Sequence, residues 1–341
     1  MVVYIIYILK RCGIYVMLLN VFVYLHQRGA FSVARFDNPG NAKALTRGTS
    51  DRLAPRFLYI SNAFKNCLFG VSGHIFIYMK LNEQLKSLYS SKWKETCTAL
   101  QALTDTGQAV TKPSYPFLLS VVKWENDQPD EEWYADADLK IMIFGKETNS
   151  WFGKCDDFGT PPSPVFNPDV TMEAVMGLYE NFYATYYKPS GFSYNGTRYG
   201  TFHYGFNRFV SLLNARFPNK RIAYLWNNIV KVGKAEGSGF CGNEIYDVQK
   251  QHFMVIREEI DILKPDLILF LTGNYDRQIL DCWNEAKFTA LSSFSVNDVA
   301  KVSLPGLNIP AYRTNHPSAR ISKEEKEARL ETIVNDIITK R

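Results

Sequence analysis

The stretch Leu139-Lys140-Ile141-Met142-Ile143-Phe144-Gly145-Lys146-Glu147-Thr148-Asn149 decides the fold. Its first six residues are a nearly continuous apolar run that stops at a glycine. A strand with one wet face alternates apolar and polar residues, whereas a strand covered on both faces has no such need. The run therefore predicts a strand over 139–144 inside a parallel sheet, with a polar turn at its carboxyl end.

The same pattern recurs outward from this stretch. Residues 222–226 read as a second buried strand running into Asn227-Asn228, and 267–271 as a third ending at Thr272-Gly273. Residues 299–304 and 309–312 flank Pro305-Gly306, and the second of these runs ends in Thr314-Asn315-His316. Between them lie helical patterns. Leu81, Leu85, Leu88, Tyr89, Trp93, Cys97, Leu100 and Leu103 recur at helical spacing and predict a helix over 81–104. Further helices are expected near 171–186, 199–216 and 275–286. A stripe from Ile245 through His252 to Leu263 predicts one more, stopped by Pro265. Ser322 with Glu325 forms a capping box for a last helix carrying Leu330, Ile333, Val334 and Ile337.

Strands alternating with helices imply an α/β fold with helices on both faces of the sheet. Ligands in such sheets bind beyond the carboxyl ends of the strands. Four polar tips (145–149, 227–228, 273–274 and 315–318) would then meet on one rim.

Composition excludes several classes. The chain has 341 residues, 46% hydrophobic and 21% charged, with a formal net charge of +5, so it is not a disordered polyelectrolyte. Six cysteines lie far apart without a C-x-x-C pair, which argues against a zinc ribbon, a thioredoxin motif or a clustered iron–sulfur site. Scattered thiols suit a reducing compartment, and a cytoplasmic location is expected. The glycines at 233, 237, 239 and 242 form neither a P-loop nor a dinucleotide fingerprint, so no cofactor is expected. The positive charge belongs to the leader. Residues 1–78 carry nine Lys/Arg against Asp37 and Asp51, while the rest carries 30 basic and 32 acidic residues. Three readings of that leader stand: an anchor built on the apolar run 14–25 behind Lys10 and Arg11, an irregular extension, or a start of translation at Met79. Membrane contact is expected only on the first. The body, 79–341, reads as one domain and as a monomer.

Each tip residue has a functional and a plain structural reading. Glu147 can direct a water or stabilise a nearby cation, or it is an exposed loop acid. His316 can donate to an oxygen gaining charge, or it is a turn histidine. Asn227 and Asn228 can read a base edge with their amides, or they serve turn chemistry. Trp151 and Phe152 can stack on a flat ring, or they are core.

Taken together, the motifs from about 136 to 338 resemble those of the uracil-DNA glycosylase superfamily. That family pairs a water-directing loop, G-Q-D-P-Y-H, with a late H-P-S-P-L loop. The corresponding stretches here are Gly145-Lys146-Glu147-Thr148-Asn149-Ser150-Trp151 and His316-Pro317-Ser318-Ala319-Arg320. Leu225-Trp226-Asn227-Asn228-Ile229-Val230-Lys231 resembles the base-reading strand end, and Leu271-Thr272-Gly273-Asn274 the phosphate loop.

The resemblance implies a three-layer α/β/α fold with a four-stranded parallel sheet. It also implies hydrolysis of the N-glycosidic bond of a damaged or deaminated base flipped out of DNA, single-stranded or duplex. It makes Glu147 and His316 the catalytic pair. Gly145, Asn149, Trp151 and either Asn227 or Asn228 become substrate contacts, and Gly273, Asn274, Ser318 and Arg320 become DNA contacts. No metal is implied. The departures bear on specificity: Glu147 replaces a shorter Asp, and Thr148-Asn149 replaces the Pro-Tyr that blocks thymine. A nucleic-acid or nucleobase binder that keeps the fold without the chemistry is the alternative. A basic stripe of Lys231, Lys234, Arg313, Arg320 and Lys323 would offset the acidic balance of the body.

Overall fold

The computed structural model describes residues 32–36, 42–46, 80–108, 111–125, 128–148, 151, 165–188, 190–193 and 200–339. The chain divides into two units, 1–79 and 80–341. In the first, Ser32–Phe36 pairs antiparallel with Ala42–Thr46. The apolar run 14–25 and Met79 lie outside the described residues, as do Asn149 and Phe152. Among the described residues, no helix is long and apolar enough to cross a membrane.

The central sheet of the second unit has six strands: β1 (Leu139–Gly145), β2 (Ile222–Asn228), β3 (Leu267–Phe270), β4 (Lys287–Ala290), β5 (Val299–Ser303) and β6 (Ala311–Thr314). Their order across the sheet is β4-β5-β6-β3-β1-β2. The pairs β6–β3, β3–β1 and β1–β2 are parallel, while β4–β5 and β5–β6 are antiparallel. The sheet is thus six-stranded rather than four-stranded. The two additional strands hang on the β6 edge, and β4 (KFTA) is largely exposed. It owes its conformation to backbone pairing with β5 and not to burial, so it carries no apolar signature.

Among the described residues, eight helices accompany the sheet: α1 (Leu81–Thr106), α2 (Glu132–Ala135), α3 (Met172–Tyr186), α4 (Phe202–Arg216), α5 (Asn243–His252), α6 (Ile256–Leu263), α7 (Asp276–Cys282) and α8 (Lys323–Thr339). Gly107 stops α1 in the left-handed conformation (φ 63°), which costs a glycine little. The Ser322 hydroxyl accepts from the Glu325 N–H at 3.0 Å and caps α8.

The stripe over 245–263 forms two helices, not one. The break falls at Phe253-Met254-Val255, where Phe253 and Val255 are fully buried. Side-chain packing here outweighs helix continuity, and the Thr96 hydroxyl of α1 donates to the freed carbonyl of His252 at 3.4 Å.

β2 is an edge strand, and an open edge invites pairing with another chain. Tyrosines from α3 occupy it. The Tyr179 hydroxyl donates to the Trp226 carbonyl at 2.7 Å, while the Tyr183 hydroxyl donates to the Tyr224 carbonyl at 3.3 Å and accepts from the Trp226 N–H at 2.5 Å. The Tyr- and Phe-rich segment between β1 and β2 therefore supplies core and edge cover, with Tyr179, Phe182, Tyr183 and Phe206 all buried.

Side chains of β2 alternate between two environments. Trp226 packs against Phe182 of α3 and against Phe202 and His203 of α4. Asn227 turns the other way, toward Glu259 of α6.

Candidate functional site

The parallel strands β1, β2, β3 and β6 bring their carboxyl ends to one rim, and the register fixes neighbours there. Gly145 lies opposite Asn228 across β1 and β2. The Leu271 N–H donates to the Phe144 carbonyl at 2.9 Å, and the Gly273 N–H to the Thr314 carbonyl at 3.0 Å. The tips of β1, β3 and β6 are therefore laced together by backbone.

Asn228 is buried and its amide is oriented. The Trp226 indole N–H donates to its Oδ1 at 2.9 Å. A flipped amide would set two donors against each other, so Nδ2 is the atom left to serve a ligand. Nδ2 is buried and has no hydrogen-bond partner among the described residues. Among the buried polar atoms that share that state, one lies at each remaining tip: Thr148 Oγ1, Thr272 Oγ1 and Asn315 Oδ1. Buried polar atoms ordinarily find partners, so each of the four tips offers a polar atom that a ligand can satisfy.

Gly145 is required by this packing. A Cβ there would lie 2.7 Å from Asn228 Oδ1 and 3.1 Å from the Phe202 ring. Phe202 is the first residue of α4, whose N-cap Thr201 accepts from the Tyr204 N–H at 3.3 Å. Its ring stacks toward His316 at a centroid distance of 6.4 Å and an angle of 25°. Gly205, one turn on, lets α4 approach the histidine turn, since a Cβ there would lie 2.2 Å from Pro317 Cγ. Asn228 and Phe202 thus both border Gly145, and Phe202 also faces His316. Sequence reading missed Phe202, because one phenylalanine among many Tyr and Phe residues carries no positional signal.

His316 has a defined tautomer. The Ser318 N–H donates to Nδ1 at 3.2 Å, and the Ser318 hydroxyl lies 2.8 Å from the same nitrogen. Nδ1 is therefore the acceptor, and the proton of the neutral ring sits on Nε2. Burial, helped by the charges of Lys146 and Lys326, pushes the imidazole down to about 4. At neutral pH the ring is an uncharged Nε2–H donor.

Glu147 is half-buried and gripped at both oxygens. The Tyr275 hydroxyl donates to Oε1 at 2.5 Å, and the Cys241 N–H donates to Oε2 at 3.0 Å. Burial raises the carboxyl above its usual range, and the two donors pull against that rise. Cys241 comes from the glycine-containing loop after β2. Gly233 lets that loop reach the β1 tip, where a Cβ would lie 2.2 Å from the Thr148 carbonyl oxygen. Gly233 thus serves close approach, while Gly237, Gly239 and Gly242 adopt positive φ, roles their sequence spacing did not reveal. Lys146, next in chain to Glu147, donates to Asn274 Oδ1 at 3.0 Å and lies 4.8 Å above the Tyr275 ring.

Several expected residues fall elsewhere. Asn227 belongs to a buried polar network: its Nδ2 donates to Glu259 Oε2 at 2.9 Å, and its Oδ1 accepts from Lys231 Nζ at 2.7 Å. Lys231 and Glu259 are both fully buried and pair at 2.7 Å, and the Tyr89 hydroxyl donates to Glu259 at 2.7 Å. Asn227 therefore holds the chain behind the strand, and Asn228 alone faces Gly145 and Phe202. Trp151 is core, with its ring 4.9 Å from Phe117 and 5.7 Å from Trp226. The basic stripe does not form, because Lys231 is consumed as described and Arg313, 1% exposed, is held by Asp276 at 2.9 Å. Ser318, Arg320 and Asn274 are exposed on the loops of the rim, and Gly273 opens its turn at φ 59°.

Cys97, Cys241 and Cys282 are buried free thiols. Among the described residues, no group of three or more His, Cys, Asp and Glu is placed to hold a metal ion. The chain matches no family model and no curated protein.

Proposed function

We propose that the rim hydrolyses the N-glycosidic bond of a damaged or deaminated base flipped out of DNA, in a fold of the uracil-DNA glycosylase type with helical layers on both sides of the sheet. The observation that carries this reading is the meeting of Asn228, Phe202 and a neutral His316 at strand tips laced to the turn that bears Glu147. Phe202 offers a flat apolar face for a base. Asn228 offers a donor only, so it selects a base with a carbonyl on its edge, such as uracil or hypoxanthine, over one with an amino group there. His316 Nε2–H donates to the oxygen that gains charge as the base leaves. A positioned donor of this kind lowers a barrier by about 3 kcal/mol. Glu147 orients the attacking water and faces the cationic sugar that develops. Ser318, Arg320 and the Gly273 turn contact the flanking phosphates.

A second reading has a specific observation behind it. Both carboxylate oxygens of Glu147 already hold donors, which suits a residue that ties three loops together. On this reading the site binds a nucleobase or nucleic acid without cleaving it. Oligonucleotides containing uracil, hypoxanthine or a mismatch, incubated with the protein and then treated to cleave abasic sites, separate the two. Base release that is lost in Glu147→Gln and in His316→Ala supports hydrolysis. Tight binding without release supports the second reading. Full activity in both variants removes the assigned site.

A further inference from the structure

Lys146 follows Gly145 at the β1 tip, and its setting differs from that of the buried cations Lys231 and Arg313. Lys231 and Arg313 are buried in ion pairs, whereas Lys146 forms none among the described residues. Its ammonium is held by a neutral acceptor, Asn274 Oδ1, and by the face of Tyr275. The same Tyr275 donates to Glu147. The ammonium is also close enough to His316 for its charge to disfavour protonation of that ring. The amine therefore shares Tyr275 with Glu147 and acts electrostatically on His316, the two groups assigned to the reaction in the proposed function. Burial lowers its proton affinity, opposed by the charge of Glu147. Loss of its proton would break no buried ion pair.

We infer that Lys146 is a nucleophile for a second activity, cleavage of the DNA strand at an abasic sugar through an imine. The inference rests on the glycosylase reading, because base release leaves a sugar whose ring-opened form carries an aldehyde at C1′, where the base had been attached. The Nζ lone pair attacks C1′, and the carbinolamine loses water to give a C=N bond. The imine acidifies the C2′ proton, which passes to the Glu147 carboxylate, whose charge acts on Lys146. The electron pair of that C–H bond forms a C=C bond as the 3′ phosphate leaves with its own bonding pair. Water then hydrolyses the unsaturated imine and restores the amine.

The test uses the full chain with two DNA substrates: one holding a preformed abasic site, the other the intact base. A borohydride present during incubation reduces the imine to a stable secondary amine. The expected result is a protein–DNA adduct on the abasic substrate, mapped by peptide mass spectrometry to Lys146. The adduct should be lost in Lys146→Arg, which keeps the charge and cannot form the imine under these conditions. An adduct mapped to another amine overturns the inference. So does the absence of adduct from wild-type protein that still releases the base from the second substrate, and in that case the glycosylase reading survives. Neither adduct nor base release overturns both.

Discussion

The Tyr275 hydroxyl donates to Glu147 Oε1 at 2.5 Å, across 128 positions of sequence. The bond stabilises the ionised carboxylate and works against the burial that raises it. Tyr275→Phe removes a donor to the charged form, so the proton affinity of Glu147 rises. If Glu147 must be ionised to act, the acid limb of kcat/KM moves to higher pH, while the alkaline side stays in place. A pH profile of base release checks this, and an unmoved acid limb would mean the carboxylate is not the group being titrated. Loss of a hydrogen bond to a charged group should also cost about 2 kcal/mol of stability.

Gly145→Ala should cripple the site while sparing the fold. The added methyl meets Asn228 Oδ1 and the Phe202 ring. Displacing either by a fraction of an ångström misaligns the proposed base, with a loss on the order of a hundredfold in kcat. Base-release kinetics, beside a thermal melt that moves by only a few degrees, would show it. An active Gly145→Ala protein would place the base elsewhere.

The buried Lys231–Glu259 pair should matter to stability and not to nucleic-acid binding. Lys231→Met leaves a carboxylate buried without its cation, which costs roughly 3–5 kcal/mol. Lys231→Met combined with Glu259→Leu should cost less than Lys231→Met alone, because no charge is stranded. Denaturant unfolding measures both. The salt dependence of DNA binding should be the same in any variant that folds, since this lysine meets no phosphate.

His203 should contribute to the slope on the acid side of the stability profile. It is buried among Trp226, Phe192 and Phe202, and burial pushes it down to about 3. The unfolded chain takes up this proton near pH 6.5 and the folded chain does not. Stability is therefore full above about pH 6.5 and falls as pH falls toward 4, by an amount on the order of 3 kcal/mol from this residue. His316 acts with the same sign. His203→Phe should flatten the decline in melting temperature between those pH values. An equally steep decline would assign the slope to other groups.

Much of the framework was legible because burial writes itself into composition. The runs at 139–144, 222–226 and 267–271 are apolar but for Lys140, and each is a strand at the centre or covered edge of the sheet. β4 was not legible, because Lys287-Phe288-Thr289-Ala290 has no face to bury. The break between α5 and α6 was not legible either, since no proline or glycine marks it and what accompanies it is the packing of Phe253 against Tyr89 of the distant helix α1. At the rim, strand tips pointed to the right loops. They could not choose between Asn227 and Asn228, because adjacent residues on a strand face opposite ways and register decides which faces the cleft. The partner of Glu147 was hidden for a simpler reason: a hydrogen bond from Tyr275 leaves no trace in the residues near either end.

The tyrosines along β2 have a consequence for assembly. With the Trp226 and Tyr224 backbone groups already occupied by side chains of the same molecule, a second chain could add there only by evicting α3. The opposite border, β4, has no comparable guard among the described residues. Any lateral growth of this sheet into a two-molecule array would therefore proceed from the Lys287–Ala290 side, leaving the catalytic candidates at the strand ends untouched.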